Sequence, residues 1–237
     1  MPRNHGSAAL VYQASYGGGL LGGDSIRLTA DIGARATAFL STQASTKVYR
    51  SHRRASVELN AAVADGGTLV VAPDPVVCFA RSTYNQAQRF NLERGAALVL
   101  VDWFTSGRRA SGERWEFDAY TSRTTVFSGG RLVLHDAVSL RASDGAIAER
   151  MQRFEVLATA VLIGPPVLEA AEHILARIAG SAVEHRGREV IGASRLGGGG
   201  CVLRIAGQST DAVSRRLRDY LSFVPALLGD DPWIRKW

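Results

Sequence analysis

Five of the seven residues in Gly17-Gly18-Gly19-Leu20-Leu21-Gly22-Gly23 are glycine, and the run leads through Asp24 straight into Ser25-Ile26-Arg27-Leu28-Thr29-Ala30-Asp31-Ile32. Gly17, Gly19 and Gly22 satisfy the spacing G-x-G-x-x-G. A dinucleotide site with that spacing needs a helix immediately afterwards, because the helix N-terminus holds the pyrophosphate. Here Ile26, Leu28, Ala30 and Ile32 alternate with polar residues, and a period of two specifies a strand. A nucleotide fold is therefore excluded. What remains is a tight glycine-rich crossing that delivers one carboxylate, Asp24, into a β-rich body.

The strand pattern continues to residue 163. Glycine turn signals recur at Gly33, Gly66-Gly67, Gly95 and Gly129-Gly130, the first three separated by roughly 30 residues, the signature of a repeating structural unit. Alternation flanks them, as in Val57/Leu59/Ala61/Val63, Val99/Val101/Trp103, Trp115/Phe117/Ala119 and Leu132/Leu134. Each unit reads as a strand-turn-strand hairpin, and stacked hairpins bury one continuous core. After Gly164-Pro165-Pro166 the period changes. Val167, Leu168, Ala171, Ile174, Leu175 and Ile178 have helical spacing up to Gly180. Strands over 188–196 and 201–206 follow, then a second helix begun by Ser209 with Val213, Leu217, Tyr220, Leu221 and Val224 inward. The expected fold is mainly β with a smaller α+β C-terminal part. Residues 1–163 form a two-layer or solenoid-like stack of β-hairpins. Residues 164–237 form a β-α-β-β-α part with two helices, packed on the body as one continuous unit.

Bulk properties narrow the function classes. Apolar residues make up 46% of the 237 and charged residues 21%, enough for a packed core. No run of about 18 apolar residues suggests a membrane span, and the first residues lack the apolar core of a signal peptide. Cys78 and Cys201 are distant and outside any C-x-x-C pair, so a reducing cytoplasm is expected. The net charge of +6 comes from 26 Arg and only two Lys, Lys47 and Lys236. Dense clusters occur only at Arg50-Ser51-His52-Arg53-Arg54 and Arg215-Arg216-Leu217-Arg218. Charge alone would suit a β-rich binding module for an acidic partner such as nucleic acid.

Catalytic signatures are missing. The five His form neither H-x-x-x-H nor H-E-x-x-H, which speaks against a closed zinc site. His135-Asp136 would point to opposite faces of a strand. Cys78, inside Val76-Val77-Cys78-Phe79, reads as a buried small hydrophobe. Gly192-Ala193-Ser194-Arg195-Leu196 lacks the second glycine of a nucleophile elbow, and no phosphate loop is present. Three polar elements remain: Asp24, the segment Thr42–Arg50 with the internal Lys47, and Gly107-Arg108-Arg109-Ala110-Ser111-Gly112-Glu113. They suit a scaffold better than an enzyme. The two tail tryptophans, Trp233 and Trp237, either fold back on the body or meet a partner.

Taken in order, these elements resemble the UreD family of urease accessory proteins, called UreH in some organisms. Gly18-Gly19-Leu20-Leu21-Gly22-Gly23-Asp24 resembles its glycine signature. Gln43-Ala44-Ser45-Thr46-Lys47-Val48-Tyr49-Arg50-Ser51 resembles its QA-[AS]-TK-[VF]-YRS segment. Pro73-Asp74-Pro75 with Cys78-Phe79, Gly107-Arg108 with Gly112-Glu113, and Leu227-Leu228-Gly229 with Ile234-Arg235-Lys236-Trp237 match three more. The family has further strand-forming sequence ahead of its glycine signature, and its usual terminal P-R-I-W is altered here. The resemblance implies a non-enzymatic metallochaperone that binds apo-urease and the UreF-type and UreG-type accessory proteins, and that helps insert nickel into the urease active site. It implies no nucleic acid, no membrane and no tightly bound cofactor, only transient carriage of Ni²⁺. It implies two β layers with a helical C-terminal region and a water-filled passage. Asp24 and Glu113 are the residues expected on the nickel path, with Lys47 or Arg50 as counter-charges, the alternative being that both cap turns at the surface. Gly22, Gly23, Gln43, Lys47, Tyr49, Arg50, Trp233 and Trp237 are the expected motif and partner residues.

Overall fold

Alternating strands separated by positive-φ turns must place their apolar faces against one another, and they do so as two stacked sheets. The computed structural model describes residues 3–5, 7–182, 184 and 186–234. The first sheet contains β1 (Arg3–His5), β2 (Ala8–Gln13), β4 (Thr37–Thr42), β7 (Thr68–Val71), β10 (Ala97–Thr105), β13 (Val156–Ile163), β15 (Gly200–Gly207) and β14 (Glu189–Arg195), in that spatial order. The short strands β5 (Thr46–Val48) and β8 (Val76–Cys78) join it beside β10. The second sheet runs β12 (Arg131–Arg141), β11 (Ala119–Ser128), β9 (Thr83–Leu92), β6 (Ala55–Val63) and β3 (Ser25–Ile32).

Connectivity inside the repeating units corrects the hairpin expectation. The turns at Gly33, Gly66 and Gly95 do not fold a strand back beside itself. They carry β3 across to β4, β6 to β7 and β9 to β10, each time from the second sheet to the first. Neighbouring rungs therefore pair in parallel: β3 with β6, β6 with β9, β4 with β7 and β7 with β10. The arches stack through their own main-chain bonds, with Arg35 N donating to Asp65 O and Ala97 N to Gly67 O. Period-two alternation cannot distinguish an arch from a hairpin, because both bury every second side chain. Of these four glycine turns, Gly129-Gly130 alone makes an antiparallel hairpin, between β11 and β12. Trp115 and Phe117 precede β11 in a loop rather than continuing it, and Trp115 takes φ +57°.

The C-terminal helices cover the outer face of the first sheet. A short helix, α1 (Ile147–Met151), precedes β13, and α2 (Leu168–Ala179), α3 (Thr210–Tyr220) and α4 (Val224–Leu228) follow. Ser209 accepts a hydrogen bond from Ala212 N and caps α3 as the sequence suggests. Val167, Ala171 and Ile174 from the start of α2, and Val213, Leu217, Tyr220, Leu221 and Val224 from α3 to α4, pack on Phe39, Val99, Val101, Leu162 and Leu203 of the sheet. β13 lies before residue 164 and β14 and β15 after it, yet all three share one sheet. Among the described residues no helix is long and apolar enough to cross a membrane.

Candidate functional site

Between the sheets lie two apolar clusters. One contains Leu59, Val63, Phe90, Leu98, Leu100 and Val126, and the other Tyr84, Phe104, Trp115, Phe117 and Tyr120. Register places a polar belt between them. Gln86 and Gln88 of β9 stand beside Ser122 and Thr124 of β11, and Thr124 stands beside Asp136 of β12. On the facing sheet Asp102 of β10 pairs with Thr159 of β13, which pairs with Arg204 of β15. The belt thus crosses the stack at one height.

Asp102 is its centre. One carboxylate oxygen accepts from Gln86 Nε2 at 2.9 Å, the other from Ser122 Oγ at 2.8 Å. The Tyr84 hydroxyl donates to Gln86 Oε1 at 3.0 Å and so fixes the amide orientation. Burial pushes the Asp102 carboxyl above the usual carboxylate range, against the lowering effect of the two hydrogen bonds, and Asp136 raises it further. Two cavities meet at this residue. The first, about 250 Å³, is lined by Gln86, Gln88, Tyr84 and Asp102 inside and opens between Gly18-Gly19, the segment Thr42–Lys47 and Asp74. The second, about 370 Å³, is lined by Tyr120, Ser122, Thr124 and Thr159 and opens at Asp136 and Arg204, which pair at 2.8 Å. Asp102 is the one residue the two linings share.

Two of the segments singled out in the sequence, the glycine crossing and Thr42–Lys47, line the first mouth. Leu20 bridges Val48, Leu20 N donates to Lys47 O at 2.7 Å, and Tyr49 N donates to Leu20 O at 2.8 Å. A Cβ on Gly22 would lie 1.8 Å from Ser51 Oγ and 2.4 Å from Arg53 O, and Gly23 takes φ +98°, so the crossing admits no side chain at either position. Tyr49 packs edge-on against Phe79, and the Arg108 guanidinium lies over the same ring, 4.2 Å from its centroid. Gln43 and Lys47 are exposed at the rim, and Arg50 is exposed beyond it.

Asp24 and Glu113 line neither cavity. The exposed Asp24 carboxylate accepts from Leu21 N at 2.8 Å and closes its own turn. Glu113 pairs with Arg108, which holds its carboxyl below the usual range, and also accepts from Ala80 N. Its counter-charge is Arg108, not Lys47 or Arg50. Trp233 folds back, its ring edge-on to Phe39 at 5.8 Å beside Leu217 and Leu221, with Tyr12 Oη donating to Pro232 O. Trp237 lies outside the described residues. The Cys78 thiol is buried, which pushes it up to about 12 and removes it as an anionic ligand near neutral pH. Among the described residues no three His, Cys, Asp or Glu side chains converge on one point. Asp102 carries a sequence signal: it is the lone charge inside Ala97-Leu98-Val99-Leu100-Val101-Asp102-Trp103-Phe104, a strand otherwise apolar on both faces. Asp136, next to the exposed His135, is the inward member of its pair.

All 237 residues match the family model described as UreD urease accessory protein. The chain is 53% identical to a urease accessory protein UreD of Sorangium cellulosum, across all of this chain and 75% of that protein. It is 45% identical to a urease accessory protein UreD of an Anaeromyxobacter species, across 99% of this chain and 79% of that protein. It is 35% identical to urease accessory protein D of Arabidopsis thaliana, across 94% of this chain and 85% of that protein.

Proposed function

Since the chain belongs to the UreD family of urease accessory proteins, we propose that it serves urease maturation as a non-enzymatic scaffold that passes nickel, as cargo, through the space between its sheets. The observation that carries this reading is the position of Asp102, a single half-buried carboxylate common to the linings of two cavities on opposite sides of the belt. One carboxylate beside a hydroxyl, with the neighbouring amide turning its nitrogen toward it, is a hard, incomplete ligand set. It leaves most of the metal's coordination to water and so favours passage over retention. Raised proton affinity adds a second property, since a proton competes with the cation and loosens it. Asp24 and Glu113 then act as the braces of the first mouth, and the path itself runs through Asp102. Apo-urease and the UreF-type and UreG-type proteins are the partners in this reading, and the cytoplasm its location.

Co-expression with urease and the other accessory proteins tests it. Asp102→Ala should leave recovery of the assembled complex unchanged and lower nickel per urease active site several-fold. Nickel equal to that of the unaltered chain removes Asp102 from the path. Failure of any complex to form with the unaltered chain removes the scaffold reading itself.

A further inference from the structure

The chain carries 28 Lys and Arg against 22 Asp and Glu, and the fold gathers most of that surplus in one place. Residues 47–54 wrap the glycine crossing. Gly23 N donates to Arg54 O at 3.0 Å, and a Cβ on Gly23 would lie 3.2 Å from Arg53 Cζ. Ser51 N donates to Arg81 O at 3.4 Å, which brings in the turn that Arg81 makes at φ +58°. Lys47, Arg50, Arg53, Arg54 and Arg81 are all exposed, and none of the ion pairs among the described residues engages them. Setting these five aside leaves 23 cations against 22 acids in the rest of the chain.

The second dense basic run is different. On α3, Arg216 pairs with Glu189, and the neighbouring Asp219 pairs with Arg177, so that run is compensated within the fold. At the crossing two acids border the five cations. The Asp24 carboxylate accepts from Leu21 N, and Glu116 meets Arg81 through its main-chain oxygen, which accepts from Arg81 N at 2.9 Å. Like charges gathered on one surface repel, and an anionic partner relieves that repulsion.

We propose that this basic collar docks an acidic segment of a partner protein, with Asp or Glu carboxylates paired to Arg50, Arg53, Arg54 and Arg81. A guanidinium presents a planar fork that holds a carboxylate through two parallel hydrogen bonds, so arginine suits such a surface better than lysine. Nucleic acid fits less well. Single strands need exposed aromatic faces on which bases stack, and the two rings at this site are taken: Tyr49 packs edge-on against Phe79, and Arg108 covers Phe79. A second copy of the chain is also a poor match, because its one pair of adjacent acids is Asp230-Asp231, and Asp231 accepts from Trp233 N. The docking goes beyond the nickel reading and does not require it. Lys47 lines the first cavity, so within that reading the docked carboxylates stand at its rim and offset a charge that otherwise repels an entering cation.

The test needs no metal, which separates its outcome from that of the nickel experiment. The probe is a labelled peptide of alternating Glu and Ala, titrated with the 237-residue chain at low salt and followed by fluorescence anisotropy. Saturable binding that weakens as salt rises is expected. Arg53→Gln with Arg54→Gln, or Arg50→Gln with Arg81→Gln, should each weaken it by about tenfold, while the charge-matched pair Arg215→Gln with Arg218→Gln on α3 should leave it unchanged. All six positions are exposed, and thermal melts check that each variant is folded. Equal loss in all three pairs would make the attraction one of net charge alone and overturns the proposal. So does failure of the unaltered chain to bind, or a single-stranded DNA probe of the same charge that binds more tightly through the same four arginines.

Discussion

Two carboxylates illustrate how environment, not residue type, sets behaviour. Burial raises the Asp102 carboxyl, so the folded state binds a proton that the unfolded chain has already lost. Stability then falls as pH rises from the unfolded carboxylate value to the higher folded one, and the penalty is complete above it. Asp102→Asn should match or exceed the unaltered chain in melting temperature at pH 7–8, and the difference should vanish near pH 3. Arg108 lowers the Glu113 carboxyl, with the opposite sign: its contribution is present above the unfolded value and is lost as pH falls through the folded one. Glu113→Gln should therefore melt lower than the unaltered chain at neutral pH and converge with it in acid. Thermal scans of both variants across pH 3–8 check the pair, and parallel slopes would refute the assignment. Gly22 makes a third residue-scale prediction. Its missing Cβ is the space that Ser51 and Arg53 occupy, so Gly22→Ala should lose about 1–3 kcal/mol in urea unfolding through overpacking.

At the level of elements, the tail and the α3 cap carry separable amounts of stability. Ser209 satisfies one free N–H at the start of α3, and Ser209→Ala should cost about 1 kcal/mol by denaturant titration. Trp233 covers Phe39 and the outer ends of Leu217 and Leu221 while remaining half-exposed. Trp233→Ala should cost less than the ~3 kcal/mol of a fully buried tryptophan, and it should free the Tyr12–Pro232 contact. Unchanged stability would instead assign that ring to a partner. The glycine crossing, the Thr46–Arg50 strand end and the Gly107–Glu113 loop behave as one element despite their separation in sequence. Tyr49, Phe79, Arg108 and Glu113 interlock there, so a change in one should alter exchange rates in the others.

For the molecule as a whole, a stack of parallel rungs is held by nearest-neighbour contacts. Amides of β9 and β10, flanked on both sides, should exchange only with global unfolding, whereas outward amides of β3 should exchange orders of magnitude faster. Mass spectrometry of exchanged fragments measures this ladder, and uniform protection would contradict it. The sequence by itself determined the β body, the two principal helices and the glycine crossing and Thr42–Lys47 segment that meet at the first mouth. Each of these is written in short-range chemistry: side-chain alternation, capping residues and glycines that permit positive φ. Tertiary structure alone decided that the turns are arches rather than hairpins, because both satisfy the same period of two and differ only in which strand becomes the neighbour. It also decided the site. Gln86, Asp102, Ser122, Asp136 and Arg204 come from five strands of two sheets, and a half-buried carboxylate's partners are set by register across the stack. Asp24 and Glu113, prominent beside their glycines, bond to Leu21 N and to Arg108 and Ala80 N, since a turn's carboxylate finds the nearest N–H or guanidinium before it can reach a distant cavity.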